Sequence, residues 1–304
     1  MSADVSSLDA WRASARDFAV GGRTLKYWTG GAEDGPALLL IHGFPTSSWD
    51  WRRVWGALCE KFRVVAMDMA GFGLSDKPLT DYLIIQQAEE HEALLASLGI
   101  GDAHVLAHDY GDTVAQELLA RTNEGSAKIR FRSIVFLNGG LFPDQHRPRL
   151  IQTLLASPLG FLVTRLMTER SFSKSFVRIF GPETQPSPQG LAEDWSLIAA
   201  NDGNLRMHKL IDYMRQRREH EARWVGALKE ATIPLRLIDG GLDPVSGAHL
   251  YEAYKARVPN ADAVLLPNVG HYPQLEDPAA VLAGFFEFHA MHFADESRGD
   301  HHGE

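Results

Sequence analysis

The chain has 304 residues, of which 45% are hydrophobic and 23% charged, a balance typical of a globular protein with a large core. Its 30 basic and 39 acidic residues give a formal net charge of −9, which argues against nucleic acid or an anionic membrane surface as the main partner. The single cysteine, Cys59, excludes an intrachain disulfide.

The two ends of the chain bear on its location. Residues 1–6 lack the basic and apolar blocks of a signal peptide, and no stretch approaches the roughly 20 apolar residues of a membrane-spanning helix. We therefore expect a cytoplasmic protein without a membrane span, present as a monomer or homodimer. The polar residues 295–304 are expected to form a disordered tail.

Short apolar runs that alternate with helical patterns predict the fold. Helical periodicity lies between most of the runs, as in Glu89–Leu98 and Leu250–Val258. This alternation predicts an α/β protein with a mostly parallel central sheet covered by helices on both faces, and ligands bind beyond the carboxyl ends of such strands. The predicted strands are Ala37–Ile41, Val64–Met67, His104–Ala107, Ile134–Leu137, Leu235–Ile238 and Ala263–Leu266.

The strand pattern stops between residues 141 and 231. This stretch contains helical segments broken by proline and glycine, as at Gly181-Pro182. A helical insertion between two sheet strands would lie above the ligand-binding edge and form a cap. We therefore predict a core of residues 1–140 and 232–294 with a helical cap of residues 141–231.

A tight turn follows the strand His104–Ala107, with the sequence His108-Asp109-Tyr110-Gly111. It resembles the nucleophile elbow of the α/β-hydrolases, where a reactive side chain sits on a strained strand-to-helix turn. The residue at the tip is an aspartate, which is already an anion at neutral pH and suits displacement at a saturated carbon that carries a leaving group. The alternative is that Asp109 only caps the following helix.

Further motifs follow in the order expected for this superfamily. His42-Gly43-Phe44-Pro45 comes after the first predicted strand, and the resemblance implies an oxyanion hole made by the backbone N–H groups of Phe44 and Tyr110. The spacing Gly71-x-Gly73-x-Ser75 resembles a signature of epoxide hydrolases and related dehalogenases.

Two later residues complete a triad by their position. Asp243 follows the strand Leu235–Ile238 where the family's acid lies, and His271 follows the last strand where its histidine lies. Asp239 and Asn138 are fallback acids. A histidine oriented by a carboxylate can activate water.

The chain is thus identified as a member of the α/β-hydrolase superfamily, in the branch of epoxide hydrolases and haloalkane dehalogenases. In the cap and the C-terminal half it is most similar to the mesoderm-specific-transcript group. Similar stretches include residues 201–205, 223–228 and 271–278. The resemblance implies Asp109 as nucleophile, Asp243 as acid and His271 as base, with no metal and no cofactor.

The leaving group decides between activities within this branch. Epoxide hydrolases protonate the opening oxygen with cap tyrosines, and the resemblance implies this role for Tyr213. Haloalkane dehalogenases hold halide with side-chain N–H donors, which are absent at Phe44 and Tyr110; Trp195 in the cap is a remaining donor. We expect Phe44, Tyr110, Trp195 and Tyr213 to bind substrate.

Three functions follow, and the first is favoured. The first is hydrolysis of a small apolar epoxide to a vicinal diol through an aspartyl ester. The second is haloalkane dehalogenation with atypical halide donors. The third is a ligand-binding or signalling protein that keeps the fold but turns over slowly.

Overall fold

The computed structural model describes residues 3–294, so the predicted disordered tail of residues 295–304 lies outside the described residues. Eight strands form one sheet in the order β1-β2-β4-β3-β5-β6-β7-β8. The pairs β1–β2 and β2–β4 are antiparallel and all other pairs are parallel. The strands are β1 Arg16–Val20, β2 Arg23–Gly30, β3 Ala37–Ile41, β4 Arg63–Asp68, β5 Asp102–His108, β6 Arg130–Leu137, β7 Leu235–Gly240 and β8 Ala263–Leu266.

Helices connect the parallel strands and fill a long insertion between β6 and β7. Short 3₁₀ segments occur at Ser48–Arg53, Val177–Ile179 and Ala200–Arg206. In residues 3–294, no helix combines the length and the apolar character needed to cross a bilayer. The core helices are α1 Leu8–Ala13, α2 Trp55–Cys59, α3 Ile84–Ser97, α4 Tyr110–Glu124, α12 Ala248–Arg257, α13 Pro273–Glu276 and α14 Pro278–His292. The helices of the insertion are α5 Leu150–Leu155, α6 Gly160–Leu166, α7 Glu169–Phe176, α8 Pro188–Ala199, α9 Met207–Leu210, α10 Tyr213–Glu219 and α11 Glu221–Lys229.

The predicted α/β fold is confirmed, and burial on both sheet faces explains why continuous apolar runs marked the strands. All five residues of β3 are buried. Leu39 and Ile41 join the apolar cluster on one face, whereas Leu38 and Leu40 join the cluster on the other. A strand buried on both faces cannot show the apolar–polar alternation of a half-exposed strand. All six predicted strands occur in the structure.

The antiparallel hairpin β1–β2 was not predicted from the sequence. Its residues are largely half-buried or exposed, so it has no continuous apolar run. The turn between its strands holds Gly21 and Gly22, both with positive φ, and a two-glycine turn is a recognised hairpin signal. That signal was present in the sequence.

A cluster of tryptophans attaches the N-terminal helix to the sheet. The rings of Trp11 and Trp28 stack at 4.4 Å between centroids, and Trp55 meets Trp11 edge-on at 5.2 Å. The indole N–H of Trp28 donates to the carbonyl oxygen of Trp11 at 2.8 Å. Both rings are buried, so the cluster contributes to the core on this face of the sheet.

We expect Trp28→Ala to reduce the free energy of unfolding by roughly 3–5 kcal/mol, because it removes a fully buried ring and leaves a cavity. Urea denaturation measures the change. The matched control is Leu79→Ala, whose side chain is 75% exposed and whose effect should stay within about 0.5 kcal/mol. An equal effect of the two substitutions would show that the cluster does not stabilise the fold.

Candidate active site

A strained turn between β5 and α4 presents Asp109 at the carboxyl end of the sheet. Asp109 has φ 48° and ψ −103°, a region that non-glycine residues rarely occupy. The turn also lies very close to the end of β3, because a Cβ added to Gly111 would lie 2.3 Å from the carbonyl oxygen of Ile41. The side chain of Asp109 makes no capping hydrogen bond to α4, so it does not act as a helix cap.

The carboxylate of Asp109 is held by groups from two other elements. The backbone N–H of Phe44 donates to Oδ2 at 3.1 Å, and Nη2 of Arg217 lies 3.7 Å from Oδ1. Tyr110 begins α4, and the first N–H groups of a helix have no intrahelical acceptor. Of the two predicted oxyanion donors, the N–H of Phe44 therefore already contacts the Asp109 carboxylate. The N–H of Tyr110 directly follows Asp109 in the chain.

The imidazole of His271 pairs with Asp243. Its Nδ1 lies 2.7 Å from Oδ2 of the buried carboxylate. Asp243 also accepts from the N–H of Val245 at 2.7 Å, from the hydroxyl of Ser246 at 2.8 Å and from the side-chain amide of Asn138 at 3.2 Å. Asn138, one fallback acid, thus supports the acid that the sequence predicted. The hydrogen bonds from Val245 and Ser246 fix the Asp243 carboxylate, which in turn orients the imidazole ring of His271.

Burial and charge compete in setting the protonation of this pair. Burial lowers the pKa of His271, but the Asp243 carboxylate, its hydrogen bond and the Asp109 carboxylate outweigh that effect and raise the pKa to about 9. Burial raises the pKa of Asp243, yet the imidazole and the hydrogen bonds from Val245 and Ser246 bring it below its ordinary value. The ion pair Asp243⁻–His271⁺ is therefore favoured at neutral pH.

Two more carboxyls, Asp112 and Asp239, are buried near Asp109 and Asp243 respectively. Burial raises the pKa of each well above its ordinary value, and the charges of Asp109 and Asp243 respectively add to the shift. The protonated form is therefore favoured for both. Asp239, the other fallback acid, makes no hydrogen bond to His271 within residues 3–294.

The loop that holds His271 is fixed by both the core and the insertion. The backbone N–H of His271 donates to the carbonyl oxygen of Ile179 at 2.8 Å, and Nε2 of His108 donates to the carbonyl oxygen of His271 at 2.8 Å. Ile179 belongs to the insertion and His108 to the end of β5. The position of the imidazole therefore depends on both parts of the chain.

A cavity of about 330 Å³ lies between the sheet edge and the insertion. Asp109 and His271 both line it, so the sheet brings these two predicted residues to one space. The other polar lining residues are Arg149, Gln152, Ser171 and Ser175. The apolar lining residues are Phe44, Pro45, Ile151, Leu155, Val163, Leu166, Met167, Phe172, Phe176, Ile179, Met207 and Val245.

Arg217 of α10 extends from the insertion to the turn that carries Asp109, and it was not predicted from the sequence. Its Nη2 donates to the carbonyl oxygen of Asp109 at 2.9 Å and its Nε donates to the hydroxyl of Thr113 at 2.6 Å. The guanidinium lies over the ring of Tyr213, 4.4 Å from its centroid. The side chain is buried, so its charge acts on Asp109 with little screening by water. The sequence signal for Arg217 was its position four residues after Tyr213 on the same helix, because residues with this spacing lie on one helix face.

Comparisons with known proteins assign the chain to a family. A family model described as the alpha/beta hydrolase family matches residues 38–284. The chain belongs to this family. The mesoderm-specific transcript homolog protein of Homo sapiens is 42% identical over 293 residues, which cover 93% of this chain and 88% of that protein. The resemblance to this group, seen first in the sequence, is thus confirmed.

Solved structures share the fold of this α/β-hydrolase. A loop variant of the haloalkane dehalogenase DbeA from Bradyrhizobium elkanii is 22% identical with a TM-score of 0.78, covering 94% of this chain and 99% of that one. The epoxide hydrolase CorEH is 22% identical with a TM-score of 0.72, covering 91% and 98%. At these identities the comparison shows a common fold and does not choose between activities.

Three residues predicted to bind substrate do not line the cavity of this α/β-hydrolase. Trp195 packs against Phe172 at 5.6 Å between ring centroids, so it lies next to a wall residue instead of facing the space. Tyr110 and Tyr213 are fully buried and meet each other at 5.2 Å. Of the four predicted substrate-binding residues, only Phe44 lines the cavity.

The hydroxyl of Tyr213 nevertheless contacts a residue of the cavity wall. Oε1 of Gln152 accepts from the backbone N–H of Arg149 at 2.7 Å, which turns Nε2 toward the Tyr213 hydroxyl at 3.4 Å. Burial raises the pKa of Tyr213, and the Asp109 carboxylate raises it further. The phenol is therefore protonated, and because its oxygen accepts from Gln152 its own proton can be donated elsewhere.

We expect Asp243→Asn and Asp109→Asn each to lower the pKa of His271 below about 9, and Asp243→Asn to lower it more, because Asp243 is the stronger of the two raising charges. Titration of the imidazole resonances by NMR measures both shifts. Asp239→Asn is the control, since a protonated carboxyl contributes no charge, and should leave the pKa of His271 unchanged. A His271 pKa that Asp243→Asn does not move would contradict the assigned pairing.

Proposed function

We propose that this α/β-hydrolase opens small apolar epoxides to vicinal diols through a covalent ester on Asp109. The single observation that carries the proposal is that the carboxylate of Asp109 and the imidazole of His271 line the same apolar cavity. Asp109 lines that cavity with the N–H of Phe44 on one oxygen, and His271, bonded to Asp243, lines the same space.

The first proposed step forms the ester. Oδ1 or Oδ2 of Asp109 attacks an epoxide carbon, the carbon–oxygen bond of the ring breaks, and the leaving alkoxide takes the phenolic proton of Tyr213. This transfer requires the side chain of Gln152, which lines the cavity and contacts the Tyr213 hydroxyl, to move aside. The apolar cavity walls strengthen this step because a carboxylate with few water molecules around it is a better nucleophile. Tyr213 suits the donor role because its phenol is neutral and can give a proton to the developing alkoxide.

The second proposed step releases the diol. Neutral His271 takes a proton from water, the hydroxide attacks the ester carbonyl, and the acyl–oxygen bond breaks. The N–H groups of Phe44 and Tyr110 stabilise the oxyanion. The departing alkoxide takes the proton of the carboxyl group that forms on Asp109, which restores the carboxylate. The proton on His271 returns to the phenolate of Tyr213, so atoms and charges balance without a cofactor.

Ester formation itself prepares His271 for this step. The Asp109 charge is one of the causes that raise the pKa of His271. When Asp109 becomes a neutral ester, that contribution disappears and the imidazole loses its proton more readily. The base is thus generated at the stage of the reaction that needs it.

The cavity walls favour an epoxide over a haloalkane. Halide release needs side-chain N–H donors close to the nucleophile. Among the described residues that line the cavity there is no tryptophan or asparagine, and the N–H donors are Arg149 and Gln152. Gln152 Nε2 is directed toward the Tyr213 hydroxyl. The tyrosine–glutamine pair supports protonation of an oxygen leaving group.

We expect His271→Gln to form the Asp109 ester and then stop, with hydrolysis slowed by roughly 10²–10⁴-fold because the base is lost. Intact-protein mass spectrometry after styrene oxide treatment should show one added epoxide. The control is the double variant Asp109→Asn/His271→Gln, which should gain no mass. In wild-type protein, a single turnover in heavy-oxygen water should place the heavy oxygen in the Asp109 carboxylate. Formation of the diol while the Asp109 carboxylate stays unlabelled would refute the covalent route.

We expect Tyr213→Phe to reduce epoxide hydrolysis by roughly 10²-fold, because the leaving oxygen loses its proton donor. Diol formation from styrene-type and aliphatic epoxides measures the effect. The control is Tyr254→Phe, since the Tyr254 hydroxyl is buried without a partner among the described residues and lies outside the cavity. Halide release from bromoalkanes with inert epoxides would select the dehalogenase, and tight ligand binding without turnover would select the binding protein.

A further inference from the structure

Helices α5 and α6 of the insertion expose an apolar face. Six of the ten exposed large hydrophobic residues among residues 3–294 lie here, within 17 consecutive positions. Leu150 is 75% exposed and Leu166 is 79% exposed. We name this surface the α5–α6 face, and its members are Leu150, Leu154, Leu159, Phe161, Leu162 and Leu166.

The exposed side chains form two stripes on helices that touch. Leu150 and Leu154 are four residues apart on α5. Leu159 immediately precedes α6, and Leu162 and Leu166 follow it on that helix at spacings of three and four. Because α5 and α6 contact each other, the stripes form one surface. Contiguous exposed apolar surface marks an interaction site more often than scattered residues do.

The same helices are apolar on their inner side as well. Ile151 and Leu155 of α5 and Val163 of α6 line the cavity. A helix that packs only against its own core needs one apolar stripe, and an outer stripe has no partner within the described chain. The outer side chains therefore add apolar surface that the fold itself does not require.

The α5–α6 face borders the entrance of the cavity. Leu166 belongs to the face and also lines the cavity, and Arg149, at the start of α5, lines it too. A surface that covered the α5–α6 face would therefore adjoin the route by which an apolar molecule enters.

The chain segment that contains this face is basic, although the whole protein is acidic. Residues 145–182 contain six basic side chains and one acidic side chain, although the chain carries −9 overall. Within residues 3–294 none of the six forms an ion pair. They are Arg147, Arg149, Arg165, Arg170, Lys174 and Arg178.

We propose that the α5–α6 face binds the surface of a lipid bilayer that contains anionic lipids, and that the cavity thereby receives apolar substrate from the bilayer. Leucines and a phenylalanine suit the boundary between headgroups and acyl chains, and the arginine and lysine side chains of the same chain segment suit anionic headgroups. A second copy of this chain fits less well, since a symmetric contact would bring like charges together. The proposal does not depend on the chemistry assigned to Asp109.

Flotation with vesicles of phosphatidylcholine and phosphatidylglycerol in equal parts tests the proposal. We expect wild-type protein to float with these vesicles and to float far less with pure phosphatidylcholine. Leu150→Ser/Leu159→Ser should weaken partitioning by about tenfold or more, because two exposed apolar side chains no longer enter the bilayer. The matched control is Leu79→Ser/Leu83→Ser, whose side chains are also exposed but lie outside the face.

Charge and catalysis are tested separately. Arg165→Gln/Arg170→Gln should weaken binding and reduce its dependence on salt, because fewer cations meet the anionic lipid. Asp109→Asn should float as the wild type does, so loss of the proposed reaction would leave this result intact. Thermal melting confirms that each variant is folded.

Three results would overturn the proposal. One is the absence of flotation with the anionic vesicles. Another is equal flotation of the wild type and Leu150→Ser/Leu159→Ser. The third is a dimer, detected by sedimentation velocity, that Leu150→Ser/Leu159→Ser dissociates, since the α5–α6 face would then be a contact between copies of the chain.

Discussion

The backbone of Asp109 is the constraint on which the candidate site depends. A conformation in this sparsely populated region costs about 1–3 kcal/mol, so the surrounding structure must hold it. The N–H of Asp109 donates to the carbonyl oxygen of Leu137 on β6, and its own carbonyl oxygen accepts from Arg217 of the insertion. Gly111 allows the turn to lie against the end of β3. Two strands and the insertion thus oppose relaxation of one residue.

Most ionised groups around this turn have a partner of opposite charge. Four carboxyls lie close together, but burial favours the protonated form of Asp112 and Asp239. Asp243 is compensated by His271, and the carbonyl and carboxylate of Asp109 meet Arg217. A buried charge without a partner is costly, so this pairing compensates the charged groups that line an otherwise apolar cavity.

The sequence predicted those features that local pattern determines. Strands buried on both faces appear as continuous apolar runs, which predicted the sheet. The turn that carries Asp109 has the small residues Ala107 and Gly111 two positions to either side, and Asp243 and His271 were predicted from their positions after two strands. The half-exposed hairpin β1–β2 lacked an apolar run.

Residues of the insertion were harder to place, because their packing depends on contacts distant in sequence. Arg217 lies 108 positions from Asp109, whose carbonyl oxygen it binds. Gln152 gave no local signal for its contact with Tyr213. For Trp195 the sequence left a donor role and a packing role open, and its ring packs against Phe172.

Arg217 belongs to the insertion but binds a turn of the sheet, so the insertion and the sheet are coupled at this position. Helix α10 provides the guanidinium that completes hydrogen bonding at both the Asp109 carbonyl and the Thr113 hydroxyl. In a chimera that received its whole insertion from a relative with an aliphatic side chain here, the Thr113 hydroxyl would lose this donor and the Asp109 carbonyl oxygen would keep only the N–H of Asp112. An exchanged insertion that keeps an arginine at this position of α10 would preserve both contacts, so α10 and the turn that carries Asp109 are constrained to vary together.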